Sequence, residues 1–230
     1  MRFRGAISSP LLCCLLLSGC ADSTGEGTAG YVVRPEDTLY SIAWRHNVDY
    51  RDLARWNHIG ADFRISVGQF LVLGPSGAPA PTAERPATQP TVRPPRSSAL
   101  TPPATIGPNM LAKWVWPTDR TGAPLSTSGG GILLTGVLGQ DVRAASGGRV
   151  VYMGSGLRGY GNLIIIKHGE TLLSAYAHNS AMLVREGQEV VAGQLIAKMG
   201  EGPQRTPVLY FEIRRNGKPV NALAFLPTMQ

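Results

Sequence analysis

Four histidines are the residues of this chain best suited to hold a metal or carry a proton at neutral pH, and their spacing limits the chemistry open to it. His46 and His58 show no ligand spacing to one another and read as surface residues. His168 sits in a Lys-His-Gly turn, and His178 ends the run Ser174-Ala-Tyr-Ala-His178. Metal-assisted amide hydrolysis needs three protein ligands and an open position, so that the metal can acidify a bound water. A lone histidine supplies neither. No histidine lies between Trp116 and His168, and Glu212 is the one Asp, Glu or His close to the stretch Val208-Leu-Tyr210. The histidine pattern therefore speaks against a hydrolytic metal centre.

The three cysteines carry a different chemistry. Basic residues in Met1-Arg-Phe-Arg4, an apolar stretch from Pro10 to Leu17 and then small residues describe a secretory signal, too short for a membrane span. Leu17-Ser-Gly-Cys20 resembles a bacterial lipobox, which implies a signal peptide over 1–19 and an acylated Cys20 as the first mature residue. Ala21, where an inner-membrane lipoprotein would carry Asp, implies transport to the outer membrane, with the chain facing the periplasm. Cys13 and Cys14 would leave with the signal, so the exported chain has no disulfide and no cysteine ligand for a metal.

The formal charge is +7; removing Arg2 and Arg4 leaves 20 basic against 15 acidic residues. Residues 109–230 hold 12 basic and 7 acidic side chains and so carry the whole excess. An exported chain without a basic cluster interleaved with aromatics is not expected to bind nucleic acid; the charge reads as a solvated face or as attraction to an acidic envelope partner.

The elements that must position these residues fall into two units. The segment 75–108 holds ten prolines and almost no large apolar side chains, so it reads as an extended, semi-rigid tether. Before it, residues 30–74 pattern as strand–helix–helix–strand, a small α+β (βααβ) module. Tyr31-Val-Val33 is a strand; Asp37 caps a helix whose Leu39, Ile42 and Ala43 recur at helical spacing; Asp49 caps a second with Leu53 and Trp56 on one face; Gly68 to Leu73 returns as a strand. Trp44 and Trp56 read as core in so small a unit. After the tether, residues 109–230 are mainly antiparallel β. Arg149–Met153, Asn162–Lys167, Thr171–Tyr176, Gln194–Lys198 and Val208–Arg214 are short strands, and Arg215-Asn-Gly-Lys218 is a tight hairpin.

Both units resemble known families. Glu36-Asp-Thr-Leu39, Asn57 and Val67-Gly-Gln69 make the first similar to a LysM domain, which implies binding of peptidoglycan glycan strands. That resemblance points to Asp37, Thr38, Leu39, Asn57 and Ile59 as glycan contacts; Asp37 and Asn57 serve equally well as helix caps. The second unit resembles the LytM (lysostaphin-type) zinc peptidases in Arg158-Gly-Tyr-Gly-Asn-Leu-Ile-Ile-Ile-Lys-His-Gly169, in Ser174 to His178 and in Leu209-Tyr-Phe-Glu-Ile-Arg214. In active members a His-x-x-x-Asp pair and the second His of His-x-His hold zinc. Those positions fall here on Gly129, Leu133 and Tyr210, with Val208 and His178 at the two assisting positions. The resemblance then implies a degenerate domain with no cofactor and no catalytic residue, His178 being a remnant.

In the degenerate branch of that family, the old cleft serves as a docking groove for an N-acetylmuramoyl-L-alanine amidase. Leu133, Tyr160, His178 and Tyr210 are the expected contacts, each with a packing role as the plain alternative. The function implied is activation of that amidase in septal wall splitting during cell division, by a protein tied to the membrane through its lipid. The alternatives are an active zinc endopeptidase cutting peptidoglycan crosslinks and a passive wall tether.

Overall fold

The computed structural model describes residues 30–75, 114–119 and 122–228. The signal segment, Cys20 and nearly all of the proline-rich run lie outside the described residues.

The first module is β1 (Gly30–Val32), α1 (Leu39–Arg45), α2 (Tyr50–Trp56) and β2 (Phe70–Val72), with β1 and β2 antiparallel. Seven-residue helices are too short to hold themselves in water, so caps and packing must do it. Thr38, rather than Asp37, caps α1. Its hydroxyl accepts from the Ser41 amide at 3.1 Å, and the Ser41 hydroxyl accepts from the Thr38 amide at 3.0 Å, a reciprocal capping box. Asp37 turns away and accepts from the Tyr31 hydroxyl at 2.7 Å, the Arg34 amide at 2.9 Å and Arg45 at 3.1 Å. Asp49 caps α2 as its position implies, accepting from the Arg51 amide at 2.8 Å. His46 is not a surface residue: it is half-buried with its ring edge-on to Tyr31, and burial lowers its pKa.

The second module contains β3 (Leu125–Ser126), β4 (Ile132–Thr135), β5 (Asp141–Arg143), β6 (Gly148–Gly154), β7 (Asn162–His168), β8 (Leu172–Met182), β9 (Glu189–Val190), β10 (Leu195–Met199), β11 (Val208–Arg215) and β12 (Lys218–Val220). Among the described residues these form one antiparallel sheet in the order β3-β4-β11-β8-β7-β6-β9, with β10 bridging β5 and β8 and β12 beside β11. The Arg215–Lys218 hairpin is present, with Asn216 and Gly217 at φ of 51° and 73°, as a primed two-residue turn requires. β8 runs six residues beyond the patterned stretch, to Met182, because its register shifts near His178 and Asn179 and the strand continues past the irregularity.

The sheet is covered on both faces. Ile164, Ile166, Tyr176, Leu209, Phe211 and Ile213 point into one core. Leu163, Ile165, Leu173, Ala175 and Ala177 point the other way, into a core shared with Leu39, Ile42, Trp44, Tyr50 and Leu53 of the first module. Burial on both faces is why β7 reads as the unbroken apolar run Leu-Ile-Ile-Ile rather than an alternation. The small side chains of Ala175 and Ala177 leave room for the helices. A module of this size sits near the lower limit for a self-sufficient core, and the shared core supplies what it lacks.

Polar groups pin the seam. The Tyr50 hydroxyl donates to the Glu170 carbonyl at 2.9 Å, Arg51 donates to the Asn216 side chain at 2.7 Å and Lys218 to the Asn47 carbonyl at 3.2 Å. Gly217 presses the β11–β12 turn against the α1–α2 loop so closely that a Cβ there would lie 2.5 Å from the Asp49 amide nitrogen. Deepest is Arg214. Its guanidinium lies 3.7 Å from the Trp44 ring centroid, donates to the Trp44 carbonyl at 2.8 Å and pairs with Glu212 at 2.7 Å, both acid and base being buried. Arg214→Ala strands the Glu212 charge and should cost about 3–5 kcal/mol of stability by chemical denaturation. The double variant Glu212→Leu/Arg214→Met should cost clearly less than that single change; an equal or larger loss would refute the charge-stranding argument.

On the opposite face His168 is 7 % exposed. A carbonyl can only accept, so Nδ1–H donates to the Gly147 carbonyl at 2.7 Å and Nε2 accepts from the Ser174 hydroxyl at 2.7 Å, beside the Tyr176 hydroxyl at 3.0 Å. This network needs the neutral ring, and burial pushes the pKa down to about 4. The unfolded chain, with its histidine near 6.5, then binds the extra proton across the window between the two values. Stability is full above pH 6.5 and is lost on acidification towards pH 4, by up to about 3 kcal/mol from this group. Urea midpoints at several pH values should show that fall, and His168→Gln should flatten it.

Candidate functional site

Tyr210 organises the cleft. On β11 it faces Leu133 of β4 on one side and Ala177 of β8 on the other. The strand alternates so that Leu209, Phe211 and Ile213 enter the main core while Tyr210, Glu212 and Arg214 line the other face. The Tyr210 ring meets Tyr160 edge-on at 5.6 Å and His178 at 6.4 Å between centroids. His178 is tied to the Tyr160 loop by its amide, which donates to the Tyr160 carbonyl at 2.9 Å. It holds a left-handed φ of 63°, uncommon for a non-glycine residue outside strained or functional positions. The structure thus gathers Leu133, Tyr160, His178 and Tyr210 around one ring.

Whether zinc could sit there is a question of donors. Gly129 has none, Leu133 has none, and Val208 is a buried aliphatic. Burial, and then the hydrogen bond from its hydroxyl to Glu212 at 2.7 Å, raise the Tyr210 pKa far above the ordinary phenol range and disfavour the tyrosinate. Among the described residues no three His, Cys, Asp or Glu side chains are grouped as a metal site. The residues do not fit a zinc ion.

The vacated space is filled rather than empty. A Cβ on Gly131 would lie 2.5 Å from Tyr210 Cζ and 2.6 Å from its hydroxyl, and the Gly129 position faces the same hydroxyl at 3.7 Å. The absence of side chains at Gly129 and Gly131 and the bulk of Tyr210 on β11 match one another in volume. Gly131 is the cleft residue that reading of the sequence misses; the signal was the run of three glycines opposite a bulky residue. The Tyr210–Glu212–Arg214 line was also missed, although polar side chains at every second position of a strand buried on both faces announce it.

The residues that resemblance assigns to glycan are largely engaged within their own module. The Asn57 amide donates to the Leu53 and Val72 carbonyls, both at 2.8 Å, while its oxygen accepts from the Val72 amide at 2.7 Å, which fixes β2 to the end of α2. Leu39 is buried, and Thr38 and Asp37 are engaged as described. Ile59 is half-exposed. Cys20 lies outside the described residues.

The fold and the site define a class: a LysM module seated on a lysostaphin-type antiparallel domain. The LysM domain model matches residues 31–74 and the model for peptidase family M23 matches residues 127–222. The chain is 41 % identical over 266 residues to a Pseudomonas aeruginosa protein named lipoprotein NlpD/LppB homolog, covering 93 % of this chain and 89 % of the relative. It is 39 % identical over 257 residues to the Escherichia coli murein hydrolase activator NlpD, covering 86 % of this chain and 67 % of that protein. The chain belongs to the NlpD/LppB family of lipoproteins. Among solved structures, the antimicrobial peptidase lysostaphin from Staphylococcus simulans is similar at 26 % identity and a TM-score of 0.43, over 46 % of this chain and 48 % of that one.

Gly131→Ala should lower stability by about 1–3 kcal/mol, because the new methyl overlaps the Tyr210 ring. Adding Tyr210→Leu should recover part of that loss in a thermal or urea melt, and strict additivity of the two changes would show that they do not share the space.

Proposed function

We propose that this protein is a non-catalytic activator of an N-acetylmuramoyl-L-alanine amidase, anchored through acylated Cys20 to the outer membrane and facing the periplasm. The observation that carries this reading is the tyrosine-filled cleft: the frame of a wall hydrolase kept, its zinc positions occupied by groups that cannot ligate, and the remaining surface lined by Leu133, Tyr160 and His178. Relatives named murein hydrolase activator support it. The LysM module would hold peptidoglycan glycan near the partner, by way of the Asp37–Leu39 loop and the Asn57–Ile59 loop. Cleavage itself belongs to the amidase, whose active conformation binding would favour by differential contact, in the splitting of septal wall at division.

The reaction to measure is dye release from labelled sacculi by a purified amidase of the source organism, with and without this protein. Stimulation is expected with wild type, and loss of about tenfold or more with Leu133→Glu, which puts a charge beside the Tyr210 ring. Release of crosslink peptides by this protein alone, with stoichiometric zinc in the purified material, would establish the endopeptidase instead. Retention on sacculi without stimulation of any amidase would leave a passive tether.

A further inference from the structure

The seam between the modules opens, at one end, into a groove of about 810 Å³, within the range that encloses a drug-sized ligand or a short peptide segment. One wall is the cleft: Gly129, Tyr160 and Tyr210. The other is the LysM module, through the loop Arg34–Asp37 and the end of α1. Leu133 and His178 border Tyr210 but do not line this groove, and neither do Asn57 and Ile59 of the glycan loops.

The charges in it are unbalanced. Arg45 is neutralised by Asp37 and Arg214 by Glu212. Arg34 and Arg158 stand exposed on the rim, and neither forms an ion pair with a described residue; the Arg34 side chain makes only a cation–π contact to Tyr31, at 5.7 Å. Against these two stands one exposed acid, Glu36. The floor is aromatic and the rim cationic.

The LysM wall is also fixed. The Tyr210 hydroxyl bonds Glu212, Glu212 bonds Arg214, and Arg214 bonds the carbonyl and covers the ring of Trp44. The floor of the cleft is therefore connected, through three alternate side chains of one strand, to the helix that forms the facing wall. Both walls stand in place before any occupant arrives, which lowers the ordering cost of binding.

We infer that the docking surface is this two-module groove rather than the cleft alone, and that its occupant is a carboxylate-bearing segment of the amidase. The inference rests on the activator reading above. The LysM module then acts twice, as a wall anchor and as part of the surface that reads the partner.

The test uses the full chain with Arg34→Glu/Arg158→Glu, and with Arg34→Lys/Arg158→Lys as the conservative pair. Binding to each purified amidase of the source organism is measured at about 50 mM and about 300 mM salt. Both positions are exposed and neither forms an ion pair with a described residue, so an unchanged thermal melt serves as the folding control. Wild type should bind more weakly at the higher salt. The glutamate pair should lose about tenfold or more in affinity at low salt, together with most of the salt dependence, and the lysine pair should stay within about threefold of wild type. Wild-type affinity for the glutamate pair at both salts, with binding lost in Leu133→Glu, would overturn the two-module groove and leave the activator reading standing. Unchanged amidase binding with reduced retention on sacculi would assign the groove to glycan and overturn the inference. If no amidase binds wild type, both readings fall.

Discussion

The interaction on which the rest of the structure depends is the buried pair of Glu212 and Arg214 under Trp44. Charges removed from water are tolerated only when each is fully partnered, and here every partner is supplied by a different requirement of the fold. Glu212 takes the Tyr210 hydroxyl as well as Arg214, and Arg214 takes the Trp44 carbonyl and ring as well as Glu212. The pair cannot be satisfied by the β domain alone. Without the LysM helix in place, the guanidinium would lack its carbonyl and its aromatic cover, so seating of the module and burial of the charge are the same event.

The cleft obeys a second constraint, of volume. An unfilled cleft would be a cavity, and cavities in a close-packed protein are costly. In this chain the space is taken by the Tyr210 ring, admitted by the absence of a side chain on Gly131. The result is a mostly aromatic surface with His178 held at an uncommon backbone angle beside it. Among the described residues it carries no grouped metal ligands.

Much of this was legible from the residues. Helical spacing at Leu39, Ile42 and Ala43, the Asp49 cap and the Asn-Gly hairpin are local signals whose physics acts within a few residues, and each is found in place. The cap of α1 went to Thr38 because Asp37 had a better use, bonding Tyr31 and Arg45 across the module. That choice depends on tertiary neighbours that spacing does not reveal. β4 and β5 went unread as strands because they are short and exist through their pairing with β11 and β10. The proline-rich run reads as a tether between two folded units; that the apolar surface of β7 and the alanines of β8 pack against the first of them is a tertiary fact the tether does not announce. The clue was the unbroken Leu-Ile-Ile-Ile, which only a strand covered on both faces can carry.

The turn at Asn216-Gly217, pressed against the loop between the LysM helices, answers two demands at one residue. The φ of 73° at Gly217 is one that glycine adopts freely, and the hairpin needs it there. A Cβ at the same position would lie within 2.6 Å of the backbone of Val48 and Asp49. A local rule of turn chemistry and a long-range rule of packing therefore select the same residue, so a substitution at 217 disturbs the hairpin and the seam together.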